Sequence, residues 1–362
     1  MVPSTESIKR SLGKKKGKEN ISSRPALSTG STVLNLACTG TVGGGFLPGH
    51  YYSFVGDSNS GKTFICMTCF AEASINPAFD DYRLIYDGTE NGAIMNIRKF
   101  FGEKAAKRIE PPEVGKDGMP VNSSTVEEMY YHIDDAIKDG RPFIYVQDSQ
   151  DSLGSESENA QFDTDKGLHK DGKGPKGSYG DSKAKIHSSK LRRLMGPLKQ
   201  SGSILIIINQ TRDSFSMFES STTSGGRALL FYATFQLWAT GKAITREYKG
   251  KKRQLGVMAS VRIKKNRETG RDRSAKLPIY HSFGIDDVGG CIDYLIEEGR
   301  WKKSKTGAIE VTGLGPTWSG QRERVAQRIE EDEMVDDLRD MVKDTWDSIE
   351  TALAVKRKSR YE

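Results

Sequence analysis

Residues Gly56-Asp57-Ser58-Asn59-Ser60-Gly61-Lys62-Thr63 fit the pattern G-x-x-x-x-G-K-[ST]. Gly56 and Gly61 let the backbone turn so that the N–H groups of Asp57, Ser58, Asn59 and Ser60 face a phosphate. A helix starting here adds positive dipole at the same point. Lys62 is a point charge for β- and γ-phosphates, and the Thr63 hydroxyl suits Mg²⁺. The ligands implied are ATP and Mg²⁺. The stretch Tyr51-Tyr52-Ser53-Phe54-Val55 before the loop reads as a buried strand, and 64–73 reads as a helix without Gly or Pro. That strand–loop–helix context argues against a chance match in a glycine-rich loop.

Three further residue types stand where phosphate chemistry would use them. The strand Arg83-Leu84-Ile85-Tyr86-Asp87 runs into Gly88-Thr89-Glu90-Asn91, which places a carboxylate at a strand end to polarise an attacking water. Glu90 is the candidate base; Asp87 is the alternative, with a structural role as its competing reading. Phe143-Ile144-Tyr145-Val146-Gln147-Asp148 is a second buried strand, and Asp148 is placed to hold Mg²⁺ beside Thr63. The run Ile204-Leu205-Ile206-Ile207-Ile208 reads as a central parallel strand covered on both faces. It ends in Asn209-Gln210, and a buried amide there can bond a γ-phosphate and report its loss; a simple strand cap is the alternative.

Around these strands the chain alternates helix and strand, the pattern of an α/β fold. Thr125 and Glu128 predict a capping box on a helix over 125–138. A helix is predicted over 93–101, closed by Gly102, and another over 184–200. Two polar stretches read as loops. The first, 154–185, is glycine-rich and basic, with Lys173 and Lys176 among its cations. The second, 211–226, mixes Arg212, Phe215, Met217 and Phe218 with hydroxyls and Gly225-Gly226, and Arg227 closes it. Exposed aromatics among cations and glycines suit stacking against bases; idle insertion or self-packing are the competing readings. Residues 235–240 and 256–263 alternate as antiparallel strands joined through a basic turn at 249–253, and Leu277-Pro278-Ile279-Tyr280 reads as an edge strand. Residues 1–27 form a basic arm and 287–362 a small module with an acidic helix and a basic tail.

The 362 residues carry a formal net charge of +7 and a mean hydropathy of −0.58. That balance suits a polyanionic partner. No apolar run is long enough for a membrane span and no signal-peptide core is visible. Four cysteines do not form a disulfide framework, and Cys66-x-x-Cys69 lies within a helix, where packing explains it better than metal or redox chemistry.

Taken in order, Ser28-Thr29-Gly30-Ser31, the phosphate loop, Leu205 to Gln210, Met217-Phe218 and Thr222-Thr223-Ser224-Gly225-Gly226-Arg227-Ala228-Leu229-Leu230-Phe231-Tyr232-Ala233 resemble the RecA family of strand-exchange proteins. Tyr86-Asp87 near a Glu, and Phe283-Gly284-Ile285-Asp286 leading into Cys291-Ile292-Asp293-Tyr294-Leu295, lean toward the UvsX-type recombinases of tailed phages. The resemblance covers about 28–300. It implies a RecA-like ATPase core over 28–286, a twisted mostly parallel sheet with helices on both faces. It implies ATP and Mg²⁺ on Lys62, Thr63 and Asp148, Glu90 activating water, and Gln210 as the switch joining the γ-phosphate to the second DNA loop. Lys265 and Arg267 match a basic pair that reaches a neighbouring subunit's phosphate, and Phe231 a subunit contact. The partners implied are single- and double-stranded DNA, further copies in a helical filament, and single-strand-binding and loader proteins, in a bacterial or phage-infected cytoplasm.

The chain departs from that pattern in a longer first loop, in Arg267 where many members have Lys, and in Phe64 where a second hydroxyl is common. Its last sixty or so residues do not align. Two rival readings share the core: a ring helicase, and a non-catalytic recombination mediator. The intact set of Lys62, Glu90, Asp148 and Gln210 argues against the mediator.

Overall fold

In the computed structural model the residues described are 25–89, 96–170, 182–213, 221–223 and 226–358. The elements in chain order begin α1 (Thr32–Thr39), β1 (Tyr51–Gly56), α2 (Lys62–Ile75), β2 (Arg83–Gly88), α3 (Ile97–Arg108) and β3 (Ile109–Glu110). A small hairpin of β4 (Glu113–Val114) and β5 (Pro120–Val121) precedes α4 (Val126–Asp139), β6 (Phe143–Asp148), α5 (Glu156–Lys170) and α6 (Ser182–Ser201). Then come β7 (Ile204–Asp213), β8 (Ser221–Thr223), α7 (Arg227–Tyr232), β9 (Phe235–Tyr248), β10 (Lys251–Asn266), β11 (Arg273–Tyr280), β12 (Gly284–Ile285) and α8 (Asp287–Glu297). The chain closes with β13 (Lys302–Lys303), β14 (Ile309–Val311), β15 (Trp318–Gly320), α9 (Arg322–Glu331) and α10 (Val335–Ala352).

One sheet runs in the order β12-β11-β10-β9-β1-β7-β6-β2-β3, with β8 paired to β7. From β9 to β3 the neighbours are parallel; β9 to β12 are antiparallel. Strand alternation sends Tyr52, Phe54, Ile144, Val146, Ile204, Ile206 and Ile208 to a core shared with α1, α2 and α8. It sends Tyr51, Phe143, Tyr145, Leu205 and Ile207 to a second core under α4 and α6. A sheet covered on both faces is why β6 and β7 read as continuous apolar runs.

Three sequence expectations need correction. The helix expected over 93–101 is α3, at Ile97–Arg108. Gly102 (φ 83°, ψ 165°) is non-helical and closes the first helical segment as expected, but a second segment continues past this kink to Arg108; residues 93–95 lie outside the described residues. The first loop is shorter than 154–185, because α5 occupies Glu156–Lys170. Nothing on α5 is buried, so no apolar period marked it, but acids in its first turn and His169 and Lys170 in its last suit the helix dipole. The second loop is partly a ribbon: β7 runs on to Asp213 and pairs with β8 through Thr211↔Thr223 and Asp213↔Ser221. Residues 302–320 carry a three-stranded antiparallel sheet that no sequence pattern announced. The basic arm lies outside the described residues up to position 24, and Leu27 is buried and paired with Phe46.

The C-terminal module packs on the same core. Val325, Ile329, Leu338, Val342 and Trp346 join the α1/α2 core cluster. Arg322 donates to both Asp293 oxygens at 2.8–3.0 Å and to Asp286 Oδ2 at 3.0 Å, tying α9 to α8. Asp287 accepts from the Thr32 N–H at 2.6 Å and the Thr32 hydroxyl at 2.9 Å, tying α8 to α1. Among the described residues no helix is long and apolar enough to cross a membrane.

The capping box on α4 is present: Glu128 N–H donates to Thr125 Oγ1 at 3.2 Å and Thr125 N–H to Glu128 Oε2 at 3.2 Å. Replacing Thr125 by Ala removes the side-chain half of it, and urea unfolding should show a loss of about 1 kcal/mol.

Candidate nucleotide site and its loops

β1 delivers the phosphate loop and α2 receives it. A Cβ on Gly56 would lie 2.3 Å from the Ala239 carbonyl oxygen and 2.9 Å from Ser60 Oγ. Gly61 begins α2 with φ 87°, a left-handed backbone that favours glycine. Lys62 is buried, and its Nζ donates to the Gly56 and Asp57 carbonyls at 2.7 Å each and to Ser60 Oγ at 3.3 Å. Thr63 Oγ1 donates to Asp148 Oδ2 at 2.6 Å, and Tyr86 OH donates to the same oxygen at 3.0 Å. A cavity of about 330 Å³ is lined by Ser58, Gly61, Lys62, Thr63, Asp148 and Gln210, among others. One buried ammonium, a helix start capped by glycine and a hydroxyl against a carboxylate fit a triphosphate with Mg²⁺. Among the described residues no cluster of three or more His, Cys, Asp or Glu could hold a metal by itself. Cys66 and Cys69 are fully buried, and burial raises both thiols well above their ordinary range, so they pack rather than react.

Strand parity separates the carboxylates. In the β2/β6 register Tyr86 pairs with Val146 and Gly88 with Asp148, so Tyr86 and Asp148 share the α2 face. Asp87 points to the other face. There it is fully buried and accepts from Ser123 N–H at 2.8 Å, Ser123 Oγ at 2.6 Å and Tyr145 OH at 2.6 Å. Those three donors make it a structural carboxylate. Glu90 lies outside the described residues, but the chain leading to it is pinned. Thr89 N–H donates to the Asp148 carbonyl at 2.8 Å, and Gln147 Nε2 donates to Thr89 Oγ1 at 2.9 Å. The Asp148–Ser149 peptide is cis.

The end of β7 touches the phosphate loop from the other side. Gln210 is in register with Gly56, and its N–H donates to Asp151 Oδ2 at 2.5 Å. The Thr211 hydroxyl donates to the Asp57 carboxylate. Of the residues read as DNA contacts, Lys173, Lys176, Phe215, Met217, Phe218 and Gly225 lie outside the described residues; Arg212 has its backbone on β7. Arg227 is exposed at the start of α7. A Cβ on Gly226 (φ 80°) would lie 2.7 Å from the Ala184 Cβ, so the far ends of both loops converge where α6 and α7 begin.

Lys265 and Arg267 sit elsewhere. Lys265 Nζ donates to the Leu230 and Phe231 carbonyls at 3.0 and 2.7 Å, and Arg267 donates to the Phe231 carbonyl at 2.6 Å. Both cations lie within 6 Å of the Phe231 ring centroid, and that ring is 64% exposed. The sequence missed four contributors: Tyr86, Thr89, Asp151 and Gly241. Gly241, on β9, packs where a Cβ would meet Asn59 O at 2.5 Å and Ser60 Cα at 3.0 Å. Parity with Asp148 could have found Tyr86; the other three carry no pattern.

With this geometry in hand, sequence comparison is informative. The sequence is similar to that of RecA proteins. The family described as the RecA N-terminal domain matches residues 172–286. Protein RecA of Chlorobaculum tepidum is 29% identical over 337 residues, 90% of this chain and 85% of that protein. Protein RecA of Chlorobaculum parvum is 29% identical over 334 residues (88% and 83%), and that of Acidothermus cellulolyticus 28% over 286 (77% and 72%). A RecA-family relationship is supported by the domain match and these relatives together, and the fold is a RecA-like α/β core with a small C-terminal module.

Burial, and then the neighbouring Arg267, lower the Lys265 ammonium from 10.5 to about 8. Between those values the unfolded chain holds this proton more tightly than the RecA-like fold does. This group therefore makes stability rise with pH from about 8 to 10.5. Lys265→Met should flatten that part of the profile, read by urea midpoints across the window.

Proposed function

We propose that this chain is a DNA-dependent ATPase and homologous-recombination protein that forms helical filaments on single-stranded DNA and exchanges strands with a duplex. The observation that carries the reading is the Thr63–Asp148 hydrogen bond beside buried Lys62, with Gln210 at the same cavity. The RecA relatives support recombination and DNA repair as the setting. The UvsX-type branch, the core at 28–286 and the module at 287–362 belong to the same proposal.

In this reading Lys62 leaves the Gly56 and Asp57 carbonyls for the β- and γ-phosphates. The N–H groups of the loop and of the α2 start cradle the phosphate oxygens. Thr63 and Asp148 hold Mg²⁺, which when bound offsets phosphate charge. Glu90, carried by the pinned Thr89, takes a proton from the attacking water. Gln210 senses the γ-phosphate and passes its presence along β7 to the second DNA loop, 211–226, where Arg212, Phe215, Met217, Phe218, Gly225 and Gly226, with Arg227 at its end, grip DNA. Lys173 and Lys176 add backbone contacts. Lys265 and Arg267 serve a neighbouring protomer's triphosphate, with Phe231 at the contact between copies.

Lys62→Ala should cut ATP turnover by on the order of 10²–10³, because it removes a fixed charge at the reacting phosphate. Turnover at the wild-type rate, with and without single-stranded DNA, would sink the assignment. Gly241→Ala forces a methyl into the phosphate-loop backbone. Titration with a fluorescent ATP analogue should show weakened binding, while urea unfolding separates this from loss of fold.

A further inference from the structure

The short turn after Asp148 holds two elements at once. β6 ends at Asp148, and Gln150–Ser152 form a single 3₁₀ turn ahead of α5. Asp151 Oδ2 accepts the Gln210 N–H, which ties the turn to β7 where that strand borders the nucleotide cavity. Gln150, one residue earlier, bonds a different element. It is buried, and its Nε2 lies 2.9 Å from His187 Nε2 on α6. His187 is fully buried, and its Nδ1 lies 2.8 Å from the Tyr130 hydroxyl on α4. A Gln amide nitrogen only donates, so His187 Nε2 accepts and Nδ1 carries the proton toward Tyr130. Burial, and then the nearby Lys183 ammonium, lower the His187 imidazolium from 6.5 to about 3, so the ring is neutral at ordinary pH.

Lys183, one helical turn before His187, adds a second link. Its Nζ donates to the Leu153 carbonyl at 2.6 Å and pairs with Glu158 Oε2 at 3.2 Å. The same Glu158 oxygen accepts from Ser155 N–H at 3.0 Å, at the start of α5. α5 and α6 are the two stems of the first loop. Ala184, beside Lys183, lies against Gly226 at the far end of the second loop. The head of α6 therefore meets the turn, the other stem of its own loop and the end of the second loop.

A buried chain of polar side chains is a demanding way to fill a core, because every donor and acceptor needs a partner. What it supplies is direction. An apolar contact lets a turn slide against a helix, whereas a hydrogen bond holds one position and a buried group resists losing its partner. A turn drawn along by Gln210 takes the head of α6 with it.

We propose that Gln150, His187 and Lys183 are positioning residues that carry the state of the nucleotide cavity to both stems of the first loop. In the proposed function Gln210 acts on the second loop alone; the turn gives the first loop its own route from the same residue. That nucleic acid reads the result rests on the recombinase reading, while the link from cavity to α6 stands without it.

The test uses the full chain and three variants. Gln150→Met with His187→Leu removes the bond and keeps apolar volume. His187→Gln offers Gln150 an acceptor again, and Lys183→Met cuts only the second link. Hydrogen–deuterium exchange is followed at 183–190 and at 208–213, with and without a slowly hydrolysed ATP analogue and Mg²⁺. In the wild-type chain the analogue slows exchange in both segments. In the double variant the effect at 208–213 remains and that at 183–190 is lost; His187→Gln restores it. Fluorescence anisotropy gives the factor by which the analogue tightens oligo(dT) binding. That factor falls about 5-fold or more in the double variant, while analogue affinity without DNA stays within about twofold. A merely structural role would weaken nucleotide binding along with urea stability and leave His187→Gln no better, and that result overturns the proposal. So does an effect at 183–190 that survives in the double variant or is missing from the wild-type chain. If the double variant does not fold, an undiminished effect at 183–190 in Lys183→Met overturns it. A wild-type chain that shows both exchange effects without binding oligo(dT) overturns the recombinase reading and leaves the link in place.

Discussion

A hydroxyl at the start of α2 and a carboxylate at the end of β6 are held 2.6 Å apart, and the layout follows from that contact. β1 and β6 are not neighbours, because β7 lies between them. Two strand spacings put their ends about 10 Å apart. The loop from Gly56 must therefore carry the chain sideways over the end of β7 before α2 begins. A left-handed glycine at Gly61 accomplishes that turn without a side chain in the way. Gln210, on the strand being crossed, then lies under the loop, with no special pairing needed to bring it there.

This geometry explains which parts of the site were legible. The phosphate loop, Asp148 and Gln210 each sit at the end of an apolar strand, and an apolar run that stops at a polar residue is visible in a sequence. The capping box at Thr125 is legible for a similar reason, since its two members are three residues apart and act on each other. Contacts between distant segments leave no such trace. Asp151 holds the Gln210 N–H from 59 residues away, and Gly241 is small because of Asn59 and Ser60. Strand parity could have settled Asp87. It lies one residue past Tyr86, which shares the face of Asp148, so Asp87 turns away toward Ser123 and Tyr145.

The fold was legible to the same limit. Two-sided burial made β1, β6 and β7 plain. α5 escaped because it buries nothing and therefore has no apolar stripe, while its composition resembles that of a loop. The strands β13 to β15 escaped because two or three residues are too few for an alternation to show. Their apolar residues, Ile309 and Val311, are nonetheless fully buried in the same core cluster as α2.

The placement of Lys265 and Arg267 bears on how many chains a complete site needs. In register, Gly56 pairs with Ala239 and Ala239 with Val261, whereas Gln236 pairs with Lys265 and Phe235 with Asn266. The basic pair therefore lies toward the entry end of β1 and the phosphate loop leaves from its exit end. Four residues along and two strands across separate them by roughly 13 and 10 Å. Both side chains are also anchored to the last carbonyls of α7, where the helix dipole favours cations. Cations fixed at the far end of their own sheet, beside an exposed Phe231, lie well away from the Lys62 of their own chain. A triphosphate that meets them would belong to another copy, and the two ends of one sheet would then become the two halves of one site.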